Sequence, residues 1–224
     1  MIKDLQVLDN YYKEPDIIID KFEQYCINEH FCPGLRSVLL QDIDIDFYNN
    51  FRYDIFRLLN LEDSPKYILW TYLNRHQYDP SKPECLNYAW PHVDGNSRED
   101  KTLNYLTYDS KLLYGGFIYL TKNPDPETGI SFFKEKKEMS RKDLYHIVLH
   151  NYLTAKDEYH DGKITVDELN KKYIEYYDNF YVDMVVKNRF NRLVTWKCGN
   201  IRGTKIISEI QPVKLIHSFY ITYA

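Results

Sequence analysis

The chain has 224 residues, 44% of them hydrophobic and 28% charged, with a formal net charge of -4. These values fit a globular domain with a proper core rather than a disordered chain, and they lack the basic footprint of a general nucleic-acid binder. No apolar run approaches the ~20 residues that a membrane span needs. The opening Met1-Ile2-Lys3-Asp4 starts no signal peptide, and Cys26, Cys32, Cys85 and Cys198 form no CxxC pair. The expectation is a soluble cytoplasmic protein with reduced thiols, partnered by neither nucleic acid nor membrane.

Leu5 to Leu8 reads as a first strand, ended by Asp9-Asn10. A helix is expected from Glu14-Pro15-Asp16, with Asp16 as candidate cap and Ile17, Ile18, Ile19, Phe22 and Tyr25 as its apolar stripe. Phe31-Cys32-Pro33-Gly34 is turn chemistry. A second helix over 44–59 carries Phe47, Phe51, Ile55, Phe56 and Leu59 at helical spacing. Beyond Pro65 aromatic and β-branched residues dominate, and strands are expected over 67–73, 86–92, 103–108, 114–120 and 130–133. Residues 135–183 are rich in Lys, Glu, Asp and Tyr and read as a helical insert. Three closing strands follow, over 190–196, 205–210 and 214–223. Many short antiparallel strands separated by turns suggest a mainly β fold with α (α+β). The architecture is a jelly roll, the double-stranded β-helix, with N-terminal helices and one helical insert, forming a single domain over 1–224.

Trp90-Pro91-His92-Val93-Asp94-Gly95 holds a His-x-Asp, an imidazole and a carboxylate one residue apart. On a strand, positions i and i+2 share a face, so both side chains can reach one cation. Two His and one carboxylate on one face of the ion is the ligand set of non-haem Fe(II). Elsewhere, 157–168 has Asp157, Asp161, Gly162, Ile164 and Glu168 at EF-hand positions, but Tyr159 stands where an oxygen ligand belongs. A helix-turn-helix with Asp161-Gly162 at the turn is the favoured reading. His146 and His150 share a helix face without a Glu-x-x-His motif, and Cys26, His30 and Cys32 complete no zinc set. Lys187, Arg189 and Arg192 form a small basic cluster on a strand edge.

Several segments, in order, resemble the Fe(II)- and 2-oxoglutarate-dependent oxygenases of the double-stranded β-helix superfamily, in a bacterial and phage branch near the prolyl-4-hydroxylase-like group. They are Val7 to Asp16, Phe31 to Ser37, Pro91-His92-Val93-Asp94, Gly116 to Leu120, Thr128 to Phe133 and Phe190-Asn191-Arg192-Leu193-Val194. The resemblance implies an oxygenase that couples decarboxylation of 2-oxoglutarate to hydroxylation of a small-molecule or protein substrate. It implies that His92 and Asp94 hold Fe(II), and that a cation on the last strand, here Lys214, binds 2-oxoglutarate.

The chain departs from the family at the third ligand. The stretch Thr195 to Gly203, where that branch has its distal His, contains none, and Arg202 stands near the place. A guanidinium stays protonated and cannot ligate iron. His217 is the only downstream His and the candidate third ligand, with Arg202 the rival occupant of the position. Lys214 and His217 are an odd number of residues apart, so a regular strand sends them to opposite faces. Three readings stay open: a dioxygenase completed by His217, a metal held by His92 and Asp94 alone, or a catalytically silent binding domain.

Overall fold

The computed structural model describes residues 4–26, 28–29, 34–92, 112–140, 154–205 and 213–224. Strand β1 (Gln6–Leu8) leads to helix α1 (Pro15–Tyr25). Pro15 occupies the first turn, where its missing N–H costs nothing; Asp16 lies inside that turn and the cap position is Glu14. Strands β2 (Asn28–Glu29) and β3 (Gly34–Arg36) and helix α2 (Leu40–Ile43) follow. Helix α3 (Ile45–Leu58) is capped by Asp44, whose carboxylate accepts the Phe47 N–H at 3.1 Å.

The remaining strands are β4 (Tyr67–Gln77), β5 (Tyr88–His92), β6 (Leu112–Tyr119), β7 (Ile130–Glu135), β8 (Phe180–Val186), β9 (Arg192–Lys197), β10 (Ile201–Lys205) and β11 (Val213–Tyr223). Helices α4 (Thr154–His160) and α5 (Val166–Tyr177) lie between β7 and β8. Among the described residues all pairings are antiparallel. They build a seven-stranded sheet, β1-β9-β6-β11-β4-β3-β2, and a four-stranded sheet, β5-β10-β7-β8.

Three apolar layers hold these parts together. One face of the larger sheet, with Leu69, Ile118, Leu193 and Phe219, packs on α1 and α3 through Phe22, Phe51 and Ile55. Its other face meets the smaller sheet, where Phe117, Tyr119, Trp196 and Ile216 pack on Ile130, Phe132 and Val186. The outer face of the smaller sheet is covered by α4 and α5, with Trp90, Phe133 and Ile201 against Ala155, Leu169 and Tyr176. The smaller sheet is thus covered on both faces except along its β8 edge, and its inner face forms one wall of the layer between the sheets.

Two element boundaries differ from the sequence reading. The insert is not helical to residue 183, because Phe180–Val186 forms β8, the edge strand beside β7. Only Asp178-Asn179 separates it from α5, too short a break to register in a helical pattern. Strand β10 runs over Ile201–Lys205, four residues earlier than expected, and carries Gly203 in its interior. The strand expected over 103–108 lies outside the described residues, as do His30, Cys32, His146 and His150. In the EF-hand-like stretch Thr165 is the cap of α5 and Glu168, three residues on, completes it. The Glu168 carboxylate accepts the Thr165 N–H at 2.7 Å while the Thr165 hydroxyl receives the Glu168 N–H at 3.3 Å, a capping box. Asp161 pairs with Lys163 at 2.7 Å.

Gly129 sets how closely β7 and β8 approach. A Cβ there would lie 2.1 Å from the Val186 carbonyl oxygen and 2.7 Å from the Asn188 nitrogen, both backbone atoms. Gly129→Ala should therefore destabilise the protein by roughly 1–3 kcal/mol or more, as overpacking does. Gly162→Ala, at φ +69° with nothing within 4 Å, should cost only the left-handed backbone penalty of about 1–2 kcal/mol. Urea unfolding of the two variants checks the order, and equal losses would show that β8 yields freely.

Candidate functional site

Strand β11 lies at the centre of the larger sheet, paired with β4 along its whole length and with β6 over most of it. Its side chains alternate without interruption from Lys214 to Ile221; the one register shift against β6 comes after that, between Ile221 and Thr222. Phe219 and Ile221 join the helix-facing core, whereas Ile216 joins the layer between the sheets. By the same alternation Lys214, Ser218 and Tyr220 face the smaller sheet and His217 faces the helices.

Lys214 is fully buried. Its Nζ donates to the Thr128 carbonyl and stands 5.2 Å from the centroid of the Tyr119 ring. The Thr128 hydroxyl in turn receives the Asn188 side-chain amide at 2.8 Å. The Tyr119 hydroxyl and the Asn188 side-chain carbonyl are buried without a hydrogen-bond partner among the described residues. No carboxylate among the described residues neutralises the amine, and burial pulls its pKa down to about 7. A buried ammonium without a counter-ion is costly, so the space around Lys214 is chemically suited to an anion.

His92 ends β5 and is directly opposite Arg202 of β10. Between that pair and the pair Thr204–Ala89, β5 uses one residue more than β10. This bulge, at Trp90-Pro91, reverses the facing of the strand beyond it. Trp90 therefore packs outward on Tyr173 and Tyr176 of α5, with ring centroids 5.0 and 5.4 Å away, and the Tyr176 hydroxyl donates to the Pro91 carbonyl. His92, two residues on, shares its face with Arg202, because directly opposed residues of an antiparallel pair point the same way. Arg202 points inward, with its guanidinium 5.0 Å from the Phe117 ring and 4.8 Å from the Trp196 ring and Nη2 donating to the Tyr220 hydroxyl at 3.1 Å. The His92 Nδ1 contacts the Trp90 carbonyl at 2.7 Å. A carbonyl only accepts, so Nδ1 carries a proton; in the neutral ring the lone pair then falls on Nε2, the tautomer a metal-ligating imidazole needs.

His217 is turned the other way. Its ring is wholly buried among Phe47, Phe51 and Tyr12. Its Nδ1 meets the Tyr12 hydroxyl at 2.5 Å and its Nε2 the Thr71 hydroxyl at 2.5 Å, while Thr71 donates to the Ser218 carbonyl at 3.2 Å. The only consistent assignment has Tyr12 donating to Nδ1 and Nε2–H donating to Thr71, which occupies both ring nitrogens. The structure therefore brings His92 and Arg202 together and sets Lys214 in the same inter-sheet layer, but leaves His217 behind the larger sheet. Asp94 lies outside the described residues.

The described residues supply no complete facial triad for Fe(II). His92 fits one position, and an arginine, which cannot ligate, stands directly across from it. Sequence reasoning missed Tyr119, Asn188 and His76, the last directly opposite Lys214 on β4. Alternation within Phe117-Ile118-Tyr119 would have put Tyr119 on the Phe117 face. Asn188 and His76 depend on strand pairing, which no local pattern displays.

No protein-family model matches the chain, and no curated protein matches it in sequence. The fold does match solved structures. HygX from Streptomyces hygroscopicus with nickel and 2-oxoglutarate bound is 13% identical, and the match covers 98% of this chain and 83% of that one at a TM-score of 0.55. With hygromycin B also bound the values are 14%, 98%, 83% and 0.54, and with iron bound 13%, 98%, 82% and 0.53. The chain thus shares its fold, nearly end to end, with a protein crystallised with 2-oxoglutarate and a metal.

Burial holds the His217 ring neutral down to about pH 3, below its ordinary value of 6.5. The unfolded chain therefore binds more protons than the folded one between those limits, so stability falls as pH drops through that window. The slope contributed by one such group approaches about 1.4 kcal/mol per pH unit. Urea midpoints measured from pH 7 downward should fall for the parent protein and fall less steeply for His217→Phe. Parallel curves would mean that the ring is protonated in the folded state.

Proposed function

We propose that β4 to β11 form a double-stranded β-helix of the Fe(II)/2-oxoglutarate oxygenase type, and that the space between the sheets takes 2-oxoglutarate on Lys214. Two four-stranded sets face each other, β4-β11-β6-β9 and β5-β10-β7-β8, and the chain passes from one to the other at every step except between β7 and β8, which pair as neighbours. The observation that carries the reading is the buried amine of Lys214, with hydrogen-bonding groups beside it and no counter-ion among the described residues. A carboxylate would neutralise it through charge-assisted hydrogen bonds. In this reading His92 and Asp94 are the residues that would hold Fe(II), without His217. Hydroxylation of a small-molecule or protein substrate, with loss of carbon dioxide from 2-oxoglutarate, is the activity the site type implies. We read residues 1–224 as one domain whose insert covers the smaller sheet.

A second reading, a binding domain without iron chemistry, is favoured by Arg202 opposite His92. Anaerobic titration with Fe(II) and 2-oxoglutarate separates the two. The oxygenase reading expects a visible charge-transfer band, lost in His92→Ala and Lys214→Met and kept in His217→Phe, and succinate formed when oxygen is admitted. Absence of both band and succinate, with 2-oxoglutarate still bound, selects the binding domain. Absence of binding altogether overturns both.

The Lys214 amine also predicts how binding follows pH. Only its protonated form attracts a carboxylate, and burial leaves it half-protonated near pH 7 in the free protein. Binding should therefore draw in a proton above that pH, and affinity should fall as pH rises, approaching about tenfold per pH unit. Calorimetry in buffers of different ionisation enthalpy measures the uptake. A pH-independent affinity with no proton uptake would remove Lys214 from the carboxylate.

A further inference from the structure

Two buried cations, Lys214 and Arg202, face the one layer between the sheets, and they reach it from opposite walls: β11 of the larger sheet and β10 of the smaller. The Lys214 amine is 5.2 Å from the Tyr119 ring, and Tyr119 packs in one apolar layer with Phe117 and Trp196, the two rings that hold the Arg202 guanidinium. The Tyr119 hydroxyl is fully buried and, although the Ile130 N–H approaches its oxygen, its O–H meets no acceptor within hydrogen-bond distance among the described residues, so a donor that can answer a ligand lies beside Lys214.

We propose that Arg202 and Lys214 form a two-ended clamp that binds a short dicarboxylate such as 2-oxoglutarate to the metal-free protein, with the guanidinium standing where a third metal ligand would. The inference rests on the second reading, a binding domain without iron chemistry; it keeps Lys214 as the cation for one carboxylate and concerns the other end of the ligand. Three properties of Arg202 carry it. A guanidinium stays charged at every working pH, unlike an amine. Its planar fork binds a carboxylate through two parallel hydrogen bonds. Its place across from His92 sets that fork where a cation would otherwise hold the ligand's second carboxylate, and its charge opposes the arrival of a divalent ion there. The Phe117 and Trp196 rings and the Tyr220 hydroxyl fix the plane of the group.

The test is calorimetry on protein stripped with chelator, using 2-oxoglutarate, glutarate and butyrate as probes. The clamp expects both dicarboxylates to bind without metal and butyrate to bind at least tenfold more weakly, a comparison that needs no variant. Arg202→Gln should lose at least tenfold for the dicarboxylates and little for butyrate. Arg202→His should bind 2-oxoglutarate only after nickel or anaerobic Fe(II) is added. Binding by the parent protein that appears only with metal, or an Arg202→Gln affinity equal to the parent's, overturns the clamp while leaving Lys214 in its role. Lys214→Met with undiminished affinity overturns the carboxylate reading itself and the clamp with it.

Discussion

The alternation of β11 governs the chemistry of this molecule. A central strand buried on both faces sends successive side chains into different surroundings, and β11 keeps that alternation from Lys214 to Ile221. Its helix-facing set is apolar except for His217, which is made tolerable by Tyr12 and Thr71 at its two nitrogens. Its inward set holds Lys214, Ser218 and Tyr220 around Ile216. Ser218 receives the Asn74 amide at 2.6 Å, and Tyr220 receives Arg202. A one-residue slip would exchange the two sets, burying Lys214 among Phe51 and Ile55 and exposing Phe219 to the polar layer. The eleven-residue pairing with β4 makes that slip expensive.

The bulge in β5 does for His92 what regularity does for Lys214. Without the extra residue His92 would follow Trp90 outward onto α5, where Tyr173 and Tyr176 leave it no ligand to meet. Pro91 is the residue that permits the irregularity, since it has no N–H to give to a ladder. The Tyr176 hydroxyl satisfies the Pro91 carbonyl, so the insert helix α5 helps to hold the turn that aims His92. A segment that read as a peripheral insert thus braces the inner site from behind.

How much of this was legible in the sequence differs from residue to residue. The opposite facing of Lys214 and His217 followed from their odd separation alone, and the structure has them so. Helix α3 was readable from Phe47, Phe51 and Ile55, because a 3.6-residue stripe is a local signal. Strand β8 was not, because Tyr181, Val182 and Val185 stay exposed on an edge and blur the alternation that marks a half-buried strand. The i, i+2 logic was applied to His92 and Asp94, and Asp94 lies outside the described residues; the bulge that turns His92 inward comes before that pair, and Pro91 was its visible sign. The pairing of Arg202 with His92 could be suspected only through the family resemblance. Register across strands far apart in the chain leaves no trace in either strand's own pattern.

The two buried cations also differ in a way that net charge conceals. A formal charge of -4 spread over 224 residues suggests no attraction for anions. Binding responds to the local field in a low-dielectric space, where nearby charges count far more than distant surface carboxylates. There Arg202 is a permanent charge, stabilised by two aromatic faces and a hydroxyl, whereas Lys214 is poised between its charged and neutral forms. Without a ligand, the layer can lower its electrostatic cost by releasing the lysine proton, and in the proposed complex an incoming carboxylate would restore it. A fixed cation on one wall and a titrating one on the other would let the same interior be stable without a ligand and attractive to one, which two arginines would not allow.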